Sequence, residues 1–408
     1  MINVDNNDTL NIMPWKIRLE ASSFCQLRCP SCPNTTKAIH PVVGSGFLKL
    51  SDFQKIIDEN PWLKEIELSN YGEIFLNPEL LEIIKYAYKR DVALKADSGV
   101  NLNNVRESVL EGLVKYRFRS MTCSIDGASD ETYKVYRVKG NFETVITNIK
   151  KINLFKQKYQ SEYPRLNWQF VIFGHNEHEI PLARKLASEL DMNFYLKLTY
   201  DDKFSPVRDQ EYIRKLVGAA SREEYKQKYG VEYLHETCHE LWDNPQINWD
   251  GKVLGCCRNS RGDFGGNAFK DGLLESINND KIKYARDMLL GHKVARDDIP
   301  CTTCSVYMTM KAKGNWLIRP PLSPGEFEHE YDLEKLQIIT PRKRDFKMLV
   351  TPKFIGHYCE NVFEDFISDL LMLRSWIKNK AHSRTMWVKK VIKNRINMRK
   401  IETRNNAT

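Results

Sequence analysis

The chain has 408 residues, of which 42% are hydrophobic and 28% are charged, and its formal net charge is +9. These values are ordinary for a globular protein, and no run of about 18 apolar residues is present that could span a bilayer, so we expect a soluble protein. The length predicts roughly two or three domains, since single cores rarely exceed about 250 residues. The N-terminal residues show neither the basic start nor the apolar stretch of a secretory signal, which predicts a cytoplasmic location.

Most of the positive charge lies at the C-terminal end. From Arg374 onward the sequence has eleven Lys or Arg residues and one acidic residue, Glu402, so this tail carries +10 and the preceding body about −1. A neutral body gives no reason to expect a nucleic-acid partner. Because apolar residues are interleaved with the basic ones, the tail is predicted to be either a helix with a charged face or disordered. We expect it to contact an anionic membrane surface or an acidic partner protein.

From about residue 15 to 200, short β-branched or aromatic runs alternate with amphipathic helical stretches, which indicates an α/β fold with parallel strands and crossover helices. Asn77 and Pro78 are predicted to cap and open one helix, and another is predicted to follow Gly140-Asn141. Six strands are predicted, at residues 16–21, 65–70, 92–97, 120–125, 166–173 and 193–198.

The composition of the sequence changes after this α/β region. From about residue 230 to 310 the segments are short and rich in Gly, Asn, Asp and Cys, as expected for a small domain organised by metal. A proline-rich linker then covers residues 319–326. We therefore predict a core domain over residues 12–215, a small domain over 230–310 and a C-terminal extension over 326–408.

Three cysteines lie within eight residues, directly after the first predicted strand. The stretch FCQLRCPSCPN spaces Cys25, Cys29 and Cys32 as C-x3-C-x2-C, and in a cytoplasmic protein such clustered thiols are expected to bind metal rather than form disulfides. Three thiolates can bind three irons of a [4Fe–4S] cluster and leave the fourth iron open, which is where a small molecule can bind. The alternatives are a zinc site completed by a distant residue, or a loop that happens to hold cysteines.

This spacing after a first strand resembles the radical S-adenosylmethionine (radical SAM) superfamily. The resemblance implies a partial (β/α)6 TIM-like barrel with a [4Fe–4S] cluster on the three cysteines. It also implies that the open iron is chelated by the amino and carboxylate groups of S-adenosylmethionine, which is cleaved reductively to methionine and a 5′-deoxyadenosyl radical. That radical takes a hydrogen atom from the substrate, and an external electron donor such as flavodoxin or ferredoxin is implied.

Segments at the ends of the next three strands resemble the same family. SNYGEIFLNPEL places Tyr71 where the family usually has the first glycine of Gly-Gly-Glu, KADSGVNL resembles its Thr-Asn-Gly stretch, and CSIDGASDETYKVYRVKG resembles its Ser-Ile-Asp-Gly segment. A second departure is Ser31, because many relatives have an aromatic residue there that packs on adenine. Taken alone, these segments could also be turns and a capped loop. The cofactor-binding residues that the resemblance implies are Gly72, Glu73, Ser98, Ser124, Asp126 and Arg137.

A second set of cysteines follows the α/β region. Ligand chemistry alone leaves open whether four thiolates there would bind zinc or an iron–sulfur cluster. The surrounding INWDGKVLGCC and CTTC resemble the SPASM/twitch domains of radical SAM enzymes, and the cysteine count fits the one-cluster twitch type. Cys257 is an alternative to its neighbour Cys256, Cys123 is predicted to be a buried thiol that packs as a small hydrophobe, and Cys359 is assigned no role. The resemblance implies an auxiliary [4Fe–4S] cluster on Cys238, Cys256, Cys301 and Cys304.

A cluster held entirely by protein has no open iron for substrate, so we expect it to accept an electron. The predicted reaction is oxidation of a small-molecule substrate, such as an alcohol carbon of a sugar-like molecule or an aminocyclitol. Modification of a ribosomally made peptide is an alternative, and so is a non-catalytic iron–sulfur or zinc binding module. The general base remains unassigned, with candidates near the ends of strands five and six that are His175, His178, Glu179, Lys197, Asp201 and Asp202.

Overall fold

The computed structural model describes residues 10–317 of the chain. The proline-rich linker, the C-terminal extension over 326–408, the basic tail and Cys359 lie outside the described residues, so what the sequence predicts for them stays a prediction. Within the described part, no helix is long and apolar enough to cross a membrane.

All six predicted strands are present and belong to one sheet, which confirms the α/β fold class. Two short strands that the sequence analysis did not predict extend this sheet to eight strands, in the order β6-β5-β4-β3-β2-β1-β7-β8. Every neighbouring pair is parallel except β7 with β8, which is antiparallel. The strands are β1 (Lys16–Leu19), β2 (Glu65–Glu67), β3 (Ala93–Val100), β4 (Ser120–Ser124), β5 (Arg165–Ile172), β6 (Asn193–Leu198), β7 (Gln246–Ile247) and β8 (Val253–Gly255).

Helices fill the connections between the parallel strands, as crossover topology requires. Three short 3₁₀ turns, at Ile74–Leu76, Glu177–Glu179 and Pro300–Thr303, precede helices α3, α7 and α13. The α-helices of the described residues are α1 (His40–Val43), α2 (Leu50–Glu59), α3 (Leu80–Lys89), α4 (Glu107–Lys115), α5 (Asp130–Tyr136), α6 (Phe142–Tyr159), α7 (Ile180–Glu189), α8 (Gln210–Val217), α9 (Arg222–Tyr229), α10 (Glu240–Asp243), α11 (Leu273–Ile277), α12 (Asp280–Leu289) and α13 (Ser305–Lys313).

One of the two predicted helix starts is confirmed and the other is displaced. Asn141 caps α6, because its side-chain oxygen accepts a hydrogen bond from the Thr144 amide at 2.7 Å. Asn77 does not cap α3, whose N-cap is Glu79. Its side chain donates to the backbone oxygens of Ala21 and Leu48 and accepts from the Glu79 amide at 2.8 Å, so this buried amide connects two neighbouring loops to the turn that leads into α3.

The sheet has one apolar and one polar face. In β1, Ile17 and Leu19 are fully buried in the main hydrophobic core, whereas Arg18 between them donates a hydrogen bond to Ser98 at 2.5 Å. Since successive strand residues point to opposite faces, the helices cover the apolar face and the other face presents polar side chains. The loops at the carboxyl ends of β1, β2 and β4 carry the three-cysteine set, Gly72, Glu73 and Asp126, whereas Ser98 and Ser124 lie within β3 and β4.

The segment after residue 230 continues this sheet. Strand β7 pairs with β1, with Arg18 beside Gln246 and Leu19 beside Ile247, and the hydrophobic core runs without a break from β1 into β8 and α12. All described residues belong to one compact unit. The second cysteine set is therefore held on strands and loops attached to the edge of the main sheet.

Candidate active site

The three-cysteine loop leaves the carboxyl end of β1 and is held by backbone contacts on both sides. The Arg28 amide donates to the Val138 oxygen at 3.0 Å, and the Cys32 amide donates to the Cys29 oxygen at 3.0 Å. Burial raises the pKa of the Cys25 thiol to about 12, and the charges of Glu73 and of the other two thiols add to this effect. The three sulfur atoms are thus close enough to influence one another, in a partly dehydrated pocket where a cationic cluster would stabilise their thiolates.

An ion pair lies beside the second cysteine of the loop. Arg137 donates through Nε to Asp126 Oδ2 at 2.6 Å, and its Nη1 points at the Cys29 sulfur at 3.7 Å. The other carboxylate oxygen of Asp126 accepts from the Val171 amide at 2.8 Å. Both oxygens of Asp126 are therefore occupied within the chain, and this carboxylate orients Arg137 towards the cysteines.

The Gly72–Glu73 segment packs tightly against the start of the cysteine loop. A Cβ atom on Gly72 would lie 2.1 Å from the Ser22 carbonyl oxygen, so only glycine fits. The buried Glu73 carboxylate accepts from the Asn101 amide at 2.6 Å and from the Phe75 amide at 3.2 Å, and burial raises its pKa to about 7. The Asn101 side chain also points at the Cys25 sulfur, at 3.8 Å, so Glu73 and Cys25 share one neighbour.

The two predicted serines lie on the polar face, near the carboxyl ends of β3 and β4. Ser98 accepts the hydrogen bond from Arg18, and its amide donates to Ser69 Oγ at 3.1 Å. Ser124 is buried, and its Oγ would lie only 2.8 Å from a Cβ placed on Gly99. The structure therefore gathers all six predicted cofactor residues and the three cysteines at the carboxyl end of β1 to β4, where enzymes of this architecture build their sites.

At Ser31 the structure brings in a residue that sequence reasoning missed. The Tyr200 hydroxyl donates a hydrogen bond to the Ser31 backbone oxygen, and Ser31 Oγ donates to Asp201 Oδ2 at 2.5 Å. Tyr200 is 55% exposed as a residue, and it lies just after β6, near the third cysteine, Cys32. Nothing local in the sequence signals this contact, because it joins two loops that are far apart in the chain.

Among the candidates for the general base, two are hydrogen-bonded within the chain and two are exposed. Both oxygens of Glu179 are engaged, by the Ala128 amide and the Ser129 hydroxyl, each at 2.6 Å. Asp201 accepts from Ser31 and from two backbone amides, while Asp202 and His178 are exposed.

The other two candidates are His175 and Lys197. Burial lowers the pKa of His175 to about 4, so it is neutral near pH 7 and a weak base. Its ring stacks on Phe173, which packs with Cys29. Lys197 donates to Gln169 on the polar face at 3.3 Å.

The four cysteines of the second set line one cavity with an apolar wall. Cys238, Cys256, Cys301 and Cys304 enclose it together with apolar side chains that include Leu241 and Phe264. Burial raises the pKa of the Cys238 and Cys256 thiols. The charge of Cys301 raises the pKa of Cys238 further. Within residues 10–317, no three His, Cys, Asp or Glu side chains lie close enough to share a single metal ion.

The two remaining described cysteines differ in their surroundings. Cys257 is partly exposed, and after burial, which is the main cause, the charges of Cys256 and Cys257 raise the pKa of Tyr71, so both cysteines lie near this phenol. Cys123 is fully buried in the hydrophobic core on β4, as predicted for a thiol that packs as a small hydrophobe.

Comparison with known proteins agrees with this geometry. Residues 19–181 match the model of the Radical SAM superfamily. The AdoMet-dependent heme synthase of Methanosarcina barkeri (strain Fusaro / DSM 804) is 26% identical over 179 residues, which are 43% of this chain and 48% of that protein. The chain thus spans about half the length of this curated relative.

Solved structures give the comparison for the fold. Streptococcus suis SuiB bound to S-adenosylmethionine superposes with a TM-score of 0.50 and 13% identity, over 72% of this chain and 71% of that one. BtrN in complex with AdoMet and 2-DOIA has a TM-score of 0.42 and 13% identity, over 72% of this chain and 93% of that one. The parallel sheet and the three-cysteine loop described above fall within or beside the segment, residues 19–181, that matches the Radical SAM superfamily model.

Proposed function

We propose that this protein is a radical SAM enzyme, which binds a [4Fe–4S] cluster through Cys25, Cys29 and Cys32 and binds S-adenosylmethionine beside it. The observation that carries the proposal is the gathering of three thiols, the Glu73 carboxyl and the Arg137 guanidinium around one loop. The donor set fits the cluster, because three thiols leave one iron open for a chelating ligand. With both groups bound, reductive cleavage of the sulfonium supplies a 5′-deoxyadenosyl radical that takes a hydrogen atom from the substrate.

The side chains around the loop would position the cofactor. Arg137, held by Asp126, offers its remaining N–H groups to a carboxylate near Cys29, which is the kind of contact that guanidinium makes well. Gly72 lets the backbone approach the cysteine loop, and Glu73 fixes the chain on either side of the site through two backbone amides. Ser98 and Ser124 offer hydroxyl groups on the polar face for the ribose or the substrate.

We further propose that the second cysteine set binds an auxiliary [4Fe–4S] cluster, whose role is to accept one electron from the substrate radical. Four thiols around one apolar cavity support this, since a closed donor set with little water suits electron transfer rather than substrate binding. The net reaction is then a two-electron oxidation of the substrate. The specific reaction we propose is dehydrogenation of an alcohol carbon in a sugar-like or aminocyclitol substrate.

One anaerobic experiment tests both statements. The full chain is reconstituted with iron and sulfide and given S-adenosylmethionine and a strong reductant, beside a variant with Cys25, Cys29 and Cys32 changed to alanine. We expect 5′-deoxyadenosine from the parent only, and about eight irons per parent chain. Changing Cys238, Cys256, Cys301 and Cys304 to alanine should lower the iron content to about four while 5′-deoxyadenosine is still formed.

The outcomes separate the two statements. A parent that binds about eight irons but releases no 5′-deoxyadenosine, with or without candidate substrates, would contradict the radical SAM activity. Unchanged iron content in the four-cysteine variant would contradict the auxiliary cluster alone.

A further inference from the structure

The loop that follows β3 carries a buried asparagine beside the first cysteine. Asn101 comes directly after the last residue of β3, and its Nδ2 atom lies 3.8 Å from the Cys25 sulfur. Its backbone amide donates to Glu73 Oε2 at 2.6 Å. Asn101 therefore contacts both a cysteine of the three-cysteine loop and the carboxyl group next to it, although it belongs neither to the predicted cysteine sets nor to the predicted cofactor residues.

The orientation of the Asn101 side-chain amide is fixed by two donors. Its Oδ1 atom accepts from Gln26 Nε2 at 2.8 Å and from the Asn103 backbone amide at 3.0 Å. The backbone amide can only donate, so exchanging the oxygen and nitrogen of the Asn101 side chain would set two donors against each other. The atom beside the Cys25 sulfur is therefore the nitrogen, which carries the hydrogen atoms.

The asparagine is held from both sides of the site. Gln26 is the residue after Cys25, so the loop that carries the thiol also binds the amide oxygen. On the other side, Asn103 Nδ2 donates to the Asn101 backbone oxygen at 3.0 Å and to the Tyr133 hydroxyl at 2.9 Å. The N–H group of Asn101 is thus aimed at the sulfur by contacts within the chain, as residues that support a metal ligand commonly are.

A hydrogen bond to a cysteine ligand has its largest effect when an iron–sulfur cluster gains an electron. Reduction of a [4Fe–4S] cluster from the 2+ to the 1+ state adds one negative charge, and an N–H donor at a sulfur atom stabilises the more negative state. Asn101 and Glu73 are both buried, and a hydrogen bond is stronger where water is excluded. Removal of the donor should therefore make the cluster harder to reduce.

A second side-chain N–H group lies beside the loop at Cys29, but its effect would be harder to isolate. Arg137 Nη1 lies 3.7 Å from the Cys29 sulfur, and the guanidinium is charged and paired with Asp126. The same group is proposed above to bind the carboxylate of the cofactor. Asn101 is neutral and has no part in that proposal, so its influence on the cluster can be measured separately.

We propose that Asn101 is a positioning residue, which donates an N–H···S hydrogen bond to Cys25 and thereby raises the reduction potential of the cluster. This proposal rests on the cluster that Cys25, Cys29 and Cys32 are proposed to bind. The external donor gives one electron, the cluster accepts it, and no bond is made or broken at Asn101. The asparagine thus makes the reduction that precedes cofactor cleavage less unfavourable.

The test is a potentiometric titration of the full, anaerobically reconstituted chain, followed by electron paramagnetic resonance and made without S-adenosylmethionine. The signal of this cluster is the one that is lost when the three cysteines of the loop are changed to alanine. Asn101→Leu has nearly the same shape as the parent and no N–H donor. Asn101→Asp also lacks the donor but keeps an acceptor for Gln26 and for the Asn103 amide, and these two donors favour its charged form at about pH 8.

We expect the midpoint potential to fall in the order parent, Asn101→Leu, Asn101→Asp. At the parent midpoint, the ratio of reduced to oxidised cluster should fall about threefold or more in Asn101→Leu, and a tenfold fall corresponds to about 59 mV for one electron. Asn101→Asp should fall further, because it sets a negative charge beside the sulfur. A purely structural role predicts the opposite order, since aspartate keeps both hydrogen bonds of Oδ1 and leucine keeps neither.

Asn103→Ala is the matched control. It removes the side-chain contacts with Asn101 and Tyr133 but keeps the backbone amide that donates to Asn101 Oδ1, so its midpoint potential should equal that of the parent. A midpoint of Asn101→Asp at or above the parent value would overturn the proposal, and so would a control that shifts as far as Asn101→Leu. If Asn101→Leu fails to fold by circular dichroism, Asn101→Asp decides by the same criterion.

The titration separates this proposal from the proposed function. Unchanged midpoints in both Asn101 variants would overturn the role of Asn101 and leave the radical SAM function standing. A parent that shows the cluster signal but forms no 5′-deoxyadenosine would contradict the radical SAM activity without affecting this readout. A parent in which no signal depends on the three cysteines would overturn the cluster, and the role of Asn101 with it.

Discussion

Burial controls the protonation of two carboxyl groups on either side of the Tyr71–Gly72 segment. It raises the pKa of Glu20 to about 8 and that of Glu73 to about 7, from an ordinary value of 4.5. Backbone amides donate to both groups and oppose this effect, but they do not overcome it. The folded chain therefore binds protons that the unfolded chain releases in the window between about pH 4.5 and pH 8.

The first prediction concerns the effect of this window on stability. The pKa of Glu20 is higher in the folded chain than in the unfolded chain. The stabilisation that Glu20 contributes to the folded state is therefore complete below about pH 4.5 and is lost as the pH rises through about 8. The Glu20→Gln variant should not lose this stabilisation as the pH rises, because the glutamine amide does not titrate. The amide can also keep the two backbone contacts and donate to a neighbouring oxygen. We expect the stability of the variant relative to the parent to rise between pH 5 and 8, by at most about 1.4 kcal/mol per pH unit.

Urea unfolding midpoints at several pH values measure this difference, with the exposed Glu59→Gln as the matched control. The control should follow the parent at every pH. A difference between Glu20→Gln and the parent that does not change with pH would show that Glu20 does not titrate in this window.

The second prediction concerns the pair of Asp126 and Arg137. The Asp126 side chain is fully buried and that of Arg137 is 14% exposed, so Asp126→Asn leaves a buried guanidinium without its counter-charge. The expected loss of stability is about 3–5 kcal/mol. Combining it with Arg137→Met should cost much less than the sum of the two single changes, because the unpaired charge is then gone. Unfolding free energies in a double-mutant cycle check this, and additive losses would contradict the coupling.

At the scale of elements, the strands could be predicted from sequence and the contacts between loops could not. Buried parallel strands appear as β-branched and aromatic runs, so all six core strands lie within a few residues of their predicted positions. The motif residues Gly72, Glu73 and Arg137 could be placed because they follow those strands. Glu20 and Tyr200 could not, since their environments depend on β7 and on the Ser31 loop, which lie far away in the chain.

Asn77 carries the third prediction. It was expected to cap a helix, but its buried side chain donates to Ala21 and Leu48, at 2.8 and 2.9 Å. Asn77→Asp would set a carboxylate oxygen against two carbonyl oxygens, and we expect a loss of about 1–3 kcal/mol or more. The loss should be smaller at low pH, because the protonated carboxyl can donate one hydrogen bond. The same change at exposed Asn104 is the control, and equal losses in the two variants would contradict the bridging role.

For the whole molecule, the central observation is that the second cysteine set is built onto the main sheet. Strands β7 and β8 have only two and three residues, too few for a hydrophobic pattern to reveal them in the sequence. The pairing of β7 with β1 follows from a long-range contact and not from local propensity, and β8 joins the sheet through β7. The continuous core between β1 and α12 implies that the two cysteine sites share one folding unit and hold a fixed separation.

The fourth prediction uses truncated chains to test whether the main sheet and the second cysteine set form one folding unit. A chain ending at residue 229 lacks β7, so β1 becomes an edge with unpaired backbone groups, and apolar residues such as Ile17 and Leu19 lose neighbours in the core. We expect it to aggregate, as measured by soluble yield and size-exclusion chromatography. A chain ending at Leu317, the last described residue, removes the basic tail but keeps the eight-stranded sheet, and should remain soluble with one unfolding transition. If the shorter chain were soluble and unfolded cooperatively, the residues before 230 would form an independent domain and the auxiliary site would be a separable addition to it.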